Sequence, residues 1–427
     1  MAKDSRLNGK KHIVVIKDGE LLPIQENSPC LRLGSLAAQL VSDGHHVTWL
    51  ATTWSHQFKE KIDNPGIFNV SAAYDVVLLE CGSYQRNISF SRLLHHRRFA
   101  KRITAWLNQL EIQPDLILAA YPIPGAAASA ARYAKDNDIP FILDIRDLWP
   151  DVFIDKLGKT LSSLASPFLA AQTRDLKKAL SVATAVTAVS QKYLQWGLEN
   201  TPAKLRGDKK FLFYPIGAQN NSSDQDFGNS ELNSLFDNLS GKTIFAFLGS
   251  FGKSYDLDII VKAARHYEEL GQTDIHFCVA GDGEQRPLVE DAAQRLSNLS
   301  YLGWLNSSQT AAFLRCSDVG MMPLQSVSGT FPNKPFQYMA ASLPIISSLE
   351  GEFADFLMEH RIGINFDVGD EHGFIAAIDQ LLQRDDREEM QERVKALFDK
   401  NFEQKVIYSK FARTVEDLCH TNVDGTG

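Results

Sequence analysis

Three short segments of this chain carry residue types and spacings that chemistry could use. "SVSGTFPNKPFQYMAASLPII" (326–346) joins a Gly-Thr turn, a Pro-Asn-Lys-Pro corner and a short amphipathic helix to an apolar strand. Its helix is expected to begin near Pro335, and its corner offers backbone N–H groups, Asn333 and Lys334 but no carboxylate. Unpaired N–H groups and the dipole of a helix start attract negative charge, so the expected occupant is an anion. "FLGSFGKSYDLD" (247–258) sets Gly249, Ser250, Gly252 and Lys253 between a strand and a helix, and "VAGDGE" (279–284) repeats the device with Gly281, Asp282 and Gly283. Glycine at such a turn lets the backbone approach a phosphate, although either turn alone serves ordinary strand-to-helix sterics equally well. All three segments follow strands in one half of the chain, so they are expected to converge on one rim. A nucleoside diphosphate is the natural occupant, held by Gly249, Gly252, Ser328, Gly329, Thr330 and Lys334.

The first half supplies a different pair. Arg146 and Asp147 follow the strand "FILDI", where a charged pair at a strand's carboxyl end points to function rather than to a solvated face. Asp144 and Asp151 flank the pair and are read as orienting Arg146 or capping the next helix. Trp149 suits packing and an acceptor platform equally, and Tyr121, in "AYPIPGAA" (120–127), suits an acceptor border or a plain proline turn. Ser190 ends a strand and is expected to cap the helix that follows. The sequence contains neither GxxxxGK[ST] nor a GxGxxG after its first strand, which sets aside a P-loop and a dinucleotide fingerprint. Asp256 and Asp258 form a DxD, read as N-capping at a helix start rather than as a metal site. The histidine pairs at 45–46 and 95–96 have no ligand spacing and are taken as surface or turn residues, so no metal is expected.

The elements that must position these residues are legible as apolar runs. "HIVVI" (12–16), "HVTWLAT" (46–52), "DVVLLE" (75–80), "DLILAAY" (115–121), "FILDI" (141–145), "AVTAVS" (185–190) and "FLFYPI" (211–216) read as strands. Helical patterns such as 35–44 and 125–138 separate them, and buried parallel strands need such crossovers. After the polar stretch "QNNSSDQDFGNSELNS" (219–234), the pattern restarts at 243–249, 275–281, 299–305, 318–324, 343–348 and 362–368. The expected fold class is therefore α/β, with two doubly wound Rossmann-like domains facing across a cleft. Their expected limits are 1–218 and 235–401, with 219–234 as linker and 402–427 as a helix packing back toward the first domain.

Composition agrees with this reading. At 427 residues the chain exceeds what one core usually supports, and with 44% hydrophobic and 22% charged residues it reads as ordinary globular protein. A net charge of −8 argues against nucleic acid as a partner. Five cysteines without a CxxC pair exclude a disulfide framework and a cysteine zinc site, and suit a reducing cytosol. The apolar run near the start covers only five residues, so no signal peptide is expected, and no stretch of about 18 apolar residues predicts a membrane span.

The order "GSFGKSYDLDIIVKAA", "VAGDGEQRPLVE", "LSYLGWL", "SDVGMMPL", "NKPFQYMAASLPII" resembles the donor half of GT-B glycosyltransferases of family 4. "PFILDIRDLWPDVF" (140–153) is similar to the D-x-R-D-x-W-P signature of a subgroup that transfers sugars in bacterial O-antigen, capsule and exopolysaccharide assembly. The resemblance spans nearly the whole chain. It implies a retaining transferase of hexosyl or N-acetylhexosaminyl type, with a UDP-linked sugar as donor and no cofactor or metal. The implied acceptor is a saccharide or a polyprenyl-diphosphate-linked one. It also places the first domain on the acceptor side, with Arg146, Asp147 and Lys334 as the catalytic set. Where many members carry two glutamates with seven residues between them, this chain has Gly329 and Gln337, and Ser250 stands for an arginine. Gln337 still hydrogen-bonds a ribose hydroxyl, and Lys253 and Lys334 are the cations left to neutralise the diphosphate. A sugar-nucleotide epimerase and a non-catalytic sugar-nucleotide-binding subunit are the competing readings.

One basic-aromatic segment stands out in the acidic chain. Residues 86–106 hold Arg86, Arg92, Arg97, Arg98, Lys101 and Arg102 interleaved with Phe90, Leu93, Leu94, Phe99 and Trp106. Attraction to anionic lipid is worth about 1 kcal/mol per basic residue near the surface. The segment is therefore expected to rest a cytoplasmic protein on the inner face of the cell membrane, the alternative being a solvated helix.

Overall fold

The computed structural model describes residues 9–25, 31–87, 89–151, 169–220, 227–325 and 332–420. It divides the chain into two compact units: residues 1–215 with 407–427, and residues 216–406.

Unit 1 is built on an eight-stranded sheet ordered β3-β4-β2-β1-β5-β6-β7-β8. Its strands are β1 (His12–Ile16), β2 (His46–Thr52), β3 (Gly66–Ser71), β4 (Tyr74–Leu79), β5 (Leu116–Tyr121), β6 (Phe141–Ile145), β7 (Ala185–Ala188) and β8 (Lys210–Phe213). The crossovers are α1 (Arg32–Ser42), α2 (Phe90–Leu107), α3 (Pro124–Asp136), α4 (169–182) and α5 (Gln191–Asn200). The pairings from β4 through β8 are parallel, and β1, β5 and β6 are almost wholly buried, which is why their sequences lack alternation. The exception is β3, which pairs antiparallel with β4 and lies outside every predicted strand. Its residues are mostly exposed, with Ile67 at 64%, so no buried face patterned it.

Unit 2 carries a wholly parallel six-stranded sheet ordered β11-β10-β9-β12-β13-β14. These strands are β9 (Thr243–Ser250), β10 (Ile275–Asp282), β11 (Leu299–Gly303), β12 (Val319–Met322), β13 (Ile345–Ser347) and β14 (Gly363–Asn365). Around them lie α6 (Ser230–Asn238), α7 (Leu257–Glu269), α8 (Arg286–Arg295), α9 (Ser307–Arg315), α10 (Lys334–Ala340), α11 (Glu352–His360), α12 (Glu371–Leu382) and α13 (Arg387–Asn401). The described part of the expected linker is not a free connector. Phe227 is buried in the core of unit 2 and stacks on Phe236 of α6, and the chain changes unit at Pro215–Ile216 instead.

The last helix, α14 (Gln404–His420), crosses back to unit 1. Ile407, Tyr408, Phe411, Ala412, Val415 and Leu418 join a core with β1, β2 and α1, and Phe411 stacks on Tyr214 with ring centroids 4.4 Å apart. His45, expected at the surface, is buried because its Nε2 meets Glu416 of α14 at 2.8 Å.

A buried ion pair ties the middle of unit 1. Asp144, near the end of β6, takes Arg32 Nε at 3.0 Å and Nη2 at 2.8 Å and a 2.7 Å bond from Thr187 of β7. Arg32 also donates to the carbonyls of Tyr214 and Pro215 at 2.5 and 3.3 Å. Burial pushes the Asp144 carboxyl up, yet the Arg32 charge overrides it and holds the group net below its ordinary range. Asp144 therefore neither orients Arg146 nor caps a helix; its oxygens are committed to Arg32 and Thr187. Removing one partner of such a pair leaves an uncompensated buried charge, at a cost of about 3–5 kcal/mol. Arg32→Ala should lower the stability of unit 1 by that amount in urea unfolding of the whole chain. Arg32→Met with Asp144→Leu should recover at least half of the loss; equal losses for single and double variants would contradict this account.

Candidate active site

In unit 2, β9 and β10 run in register to their ends, so Gly249 and Gly281 lie side by side. Both need glycine. A Cβ on Gly281 (φ +143°) would lie 1.7 Å from the Gly249 carbonyl oxygen, and one on Gly249 (φ +159°) 1.4 Å from Lys334 Nζ. The two turns are knit together. Phe251 N–H donates to the Asp282 carbonyl at 2.8 Å, and Gln285 Nε2 donates to the carbonyls of Gly252 and Tyr255 at 2.8 Å each.

Lys334 begins α10, one residue before the expected Pro335. Tyr338, one turn on, fixes the helix: its hydroxyl donates to the Met321 carbonyl and accepts from Leu248 N–H, both at 3.1 Å. Lys334 Nζ then sits 3.8 Å from the centroid of the Tyr255 ring and 5.1 Å from that of Phe247. It is buried and has no hydrogen-bond partner among the described residues. Burial pushes its pKa down from 10.5 to about 7. A cation held on two aromatic faces against Gly249, with no carboxylate beside it, has the chemistry to pair with an anion.

The structure thus brings Gly249, Gly281 and Lys334 together, with Gly283 packed against Phe251 and Gly252 in the adjoining turn. Lys253 stands apart, exposed and 3.7 Å from Glu284. Ser250, Asp282, Asn333 and Gln337 are also exposed, and the Asp282 carboxylate accepts from Gly283 N–H at 2.7 Å. Asp256 occupies the N-cap position of α7 without a side-chain cap bond, and Asp258 pairs with Lys262 at 3.0 Å instead. Ser328, Gly329 and Thr330 lie outside the described residues.

In unit 1, residues after β1, β2, β4, β5 and β6 line a cavity of about 230 Å³ with α2. Arg146 lines it and is held through Nη1 by the Glu20 carboxylate, whose other oxygen accepts from Leu33 and Gly34 N–H at the start of α1. Asp147 accepts from Leu148 N–H at 2.8 Å and Trp149 Nε1 at 3.0 Å, so it shapes its own turn and orients Trp149. Tyr121 is buried and donates to the Trp149 carbonyl, a structural post rather than an acceptor border. Asp151 accepts from Trp196 Nε1 at 2.7 Å, and Ser190 caps α5 through Tyr193 N–H.

The cavity also holds Lys17, Asp18 and His56, which the sequence reading passed over, together with Arg92 and His96, which it placed in a membrane-facing segment and at the surface. The pair at 95–96 is not on the surface. His95 is 1% exposed, its Nδ1 2.7 Å from the Gly82 carbonyl and its Nε2 3.2 Å from Asp18. Asp18 also accepts from Thr52 at 2.6 Å; burial pushes its carboxyl up, but His95 and Thr52 bring it net below its ordinary value. The signal was in the spacing. His95 extends the stripe Phe99, Ile103, Leu107, spaced by four along α2, all of which are buried. "KDGE" directly after the most central strand was the other.

The chain belongs to the GT-B glycosyltransferases, and its two units carry the largely parallel sheets of that fold. Its family is glycosyltransferase family 4: the family described as "Glycosyltransferase Family 4" matches residues 32–204, and "Glycosyl transferases group 1" matches residues 242–384. Similar solved structures agree on the fold. Sucrose-phosphate synthase from Thermosynechococcus elongatus has a TM-score of 0.64 at 15% identity over 96% of this chain and 99% of its own. Trehalose 6-phosphate synthase from Burkholderia multivorans gives 0.67 at 15% over 98% and 100%. Anabaena HepE, in complex with UDP, gives 0.62 at 14% over 95% and 100%. Among curated protein sequences none matches significantly.

Lys334 makes a stability prediction. Its folded pKa of about 7 lies below the 10.5 of the exposed side chain, so folding costs nothing for it above pH 10.5. The cost grows as pH falls toward 7 and is constant below. Lys334→Met should therefore raise the melting temperature of the ligand-free protein at pH 7, by less at pH 9. A variant equal to or less stable than wild type at pH 7 would show that Lys334 is satisfied in the empty site.

Proposed function

We propose that the chain is a retaining glycosyltransferase of bacterial surface-polysaccharide assembly. It moves a hexosyl or N-acetylhexosaminyl unit from a UDP-linked donor to a saccharide or polyprenyl-diphosphate-linked acceptor. The observation that carries the donor side is Lys334 Nζ, buried and without a partner beside Gly249. The complex of Anabaena HepE with UDP supports the choice of nucleotide, and the "DIRDLWP" stretch supports the polysaccharide role.

In this reading the diphosphate lies on the Gly249 and Gly281 turns against the Lys334 ammonium. As the glycosidic bond breaks, charge builds on the leaving phosphate, and a fixed cation stabilises that charge more than it does the ground state. The acceptor hydroxyl attacks on the leaving-group face and gives its proton to the departing diphosphate, so no protein base and no metal are needed. Unit 1 supplies the acceptor side, with Arg146 and Asp147 shaping its pocket. The protein works in the cytoplasm against the inner membrane face, a placement supported by exposed Arg97, Arg98, Lys101 and Arg102 on α2 and by Phe90, 75% exposed at its start. Among the described residues no helix is long and apolar enough to cross a membrane.

Calorimetry tests the donor side directly. UDP should bind equally with and without a chelator, and Lys334→Ala should weaken it about tenfold or more, the worth of a charge-assisted contact of about 1.5–3 kcal/mol. Loss of binding on chelation would overturn the metal-free mechanism. Product analysis with a panel of UDP-sugars then separates transfer, with retained anomeric configuration, from epimerisation.

Proton linkage gives an independent check. At pH 8 the free Lys334, with a pKa near about 7, is mostly neutral, and a bound diphosphate favours its charged form. UDP binding at pH 8 should therefore take up a proton, read from heats in buffers of different ionisation enthalpy. Lys334→Arg, charged throughout, should bind without that uptake. Wild-type binding with no proton uptake would remove Lys334 from the diphosphate.

A further inference from the structure

The carboxylates around the unit 1 cavity are spent, and two of its cations are not. Asp18 is satisfied by Thr52 and His95. Glu20 is committed to the start of α1 and to Arg146, and Asp147 to its own turn. The Lys17 ammonium, by contrast, forms no hydrogen bond or ion pair among the described residues, although Lys17 lines the cavity. Arg92 donates from Nη1 to the Asn87 carbonyl at 2.7 Å and also hydrogen-bonds the Tyr84 hydroxyl, but it meets no carboxylate, and its Nε is buried without a partner among the described residues. Its guanidinium is held in place by aromatic faces, 4.9 Å from the Trp149 ring centroid and 5.7 Å from that of Tyr84.

The titration of neighbouring groups reports the same positive field. Burial and then Arg146 push Lys17 down to about 8, and burial and then Arg92 push His56 down to about 4. His56 and His96 therefore line the cavity as neutral rings that hydrogen-bond without adding charge. A planar, preoriented guanidinium beside a free ammonium fits a carboxylate or a phosphate better than a neutral hydroxyl. A volume of about 230 Å³ is below the ~300–1,000 Å³ of pockets that enclose whole ligands, so one charged group and its sugar fit better than a long chain.

We propose that this cavity binds an acidic group of the acceptor, a carboxylate or a phosphate, between Lys17, Arg92 and Arg146. The inference deepens the proposed function and rests on unit 1 being the acceptor side. The acid can come from a uronic-acid residue or from the phosphate of a lipid-linked acceptor, and the experiment separates these sources.

The test uses the full chain with its donor site saturated by UDP, so that phosphate probes are not drawn there. Ligand-observed NMR and calorimetry compare methyl glucuronide, methyl phosphate and neutral methyl glucoside. At least one anionic probe should bind at least tenfold more tightly than the glucoside. Lys17→Met and Arg92→Gln should each remove that preference while leaving UDP affinity unchanged. Preference for the glucuronide assigns a uronic acid, and preference for the phosphate assigns the lipid-linked source. Equal binding of all three probes, no binding of either anion, or anion binding indifferent to both substitutions overturns the proposal. UDP binding intact under those outcomes confines the failure to this subsite, whereas loss of UDP binding in the wild type would sink the donor reading instead. The two substitutions lie on different elements, β1's exit and α2, so misfolding of one leaves the other to decide.

Discussion

Unit 1 is organised around the ion pair of Arg32 and Asp144, both without exposed side-chain surface. Two charges in such a place are tolerated only when nearly every donor and acceptor is used, and here Thr187 and the carbonyls of Tyr214 and Pro215 complete the set. Geometry follows from that demand. The pair pins the start of α1 to the end of β6, and Arg146 and Asp147 leave the sheet two and three residues later. Glu20 repeats the device one layer out, joining the same helix start to Arg146. The position of the first candidate residue in the cavity is thus inherited from a network that touches no ligand.

Unit 2 shows the opposite strategy. Tyr338 fixes α10 through two hydrogen bonds, and Gly249 carries no side chain that would displace the Lys334 ammonium. The cation is left on two aromatic rings instead of against a carboxylate. A local acid would satisfy it and would also compete with any incoming phosphate. Under the proposed function, stability is surrendered at this point so that affinity for the diphosphate remains available.

Much of this was readable from sequence because parallel sheets write themselves as apolar runs. The predicted strands at 12–16, 46–52 and 141–145 coincide with β1, β2 and β6. The hidden parts have physical reasons. β3 is a mostly exposed edge strand from which only Phe68 packs partly against a core, so no run marked it. The role of Asp144 required a partner 112 residues away, and local spacing pointed to its neighbours Arg146 and Asp147 instead. Gly249, Gly281 and Lys334, expected on one rim, do come together, because β9 and β10 end in register and Lys334 reaches Gly249. Lys253 was misleading, since proximity in sequence to a glycine turn does not decide which way a long side chain points. Arg92 was read as part of a charge run, whereas the helix turns it toward the cavity and leaves Arg97 and Lys101 on the outside.

The return of α14 to unit 1 has a consequence for how the chain is made. Tyr408, Phe411 and Val415 complete a core whose other members, such as Val15, Leu36 and Trp49, are synthesised at the beginning. Domains usually fold in the order in which they leave the ribosome. In this protein the order is inverted: residues 216–406 are a complete unit before the first unit has its last wall. During translation the nascent sheet of unit 1 therefore keeps an apolar face open for the time needed to add roughly two hundred residues, some tens of seconds at about 5–20 residues per second. An open apolar face is prone to aggregation, so that interval exposes the chain to a hazard absent from the finished fold.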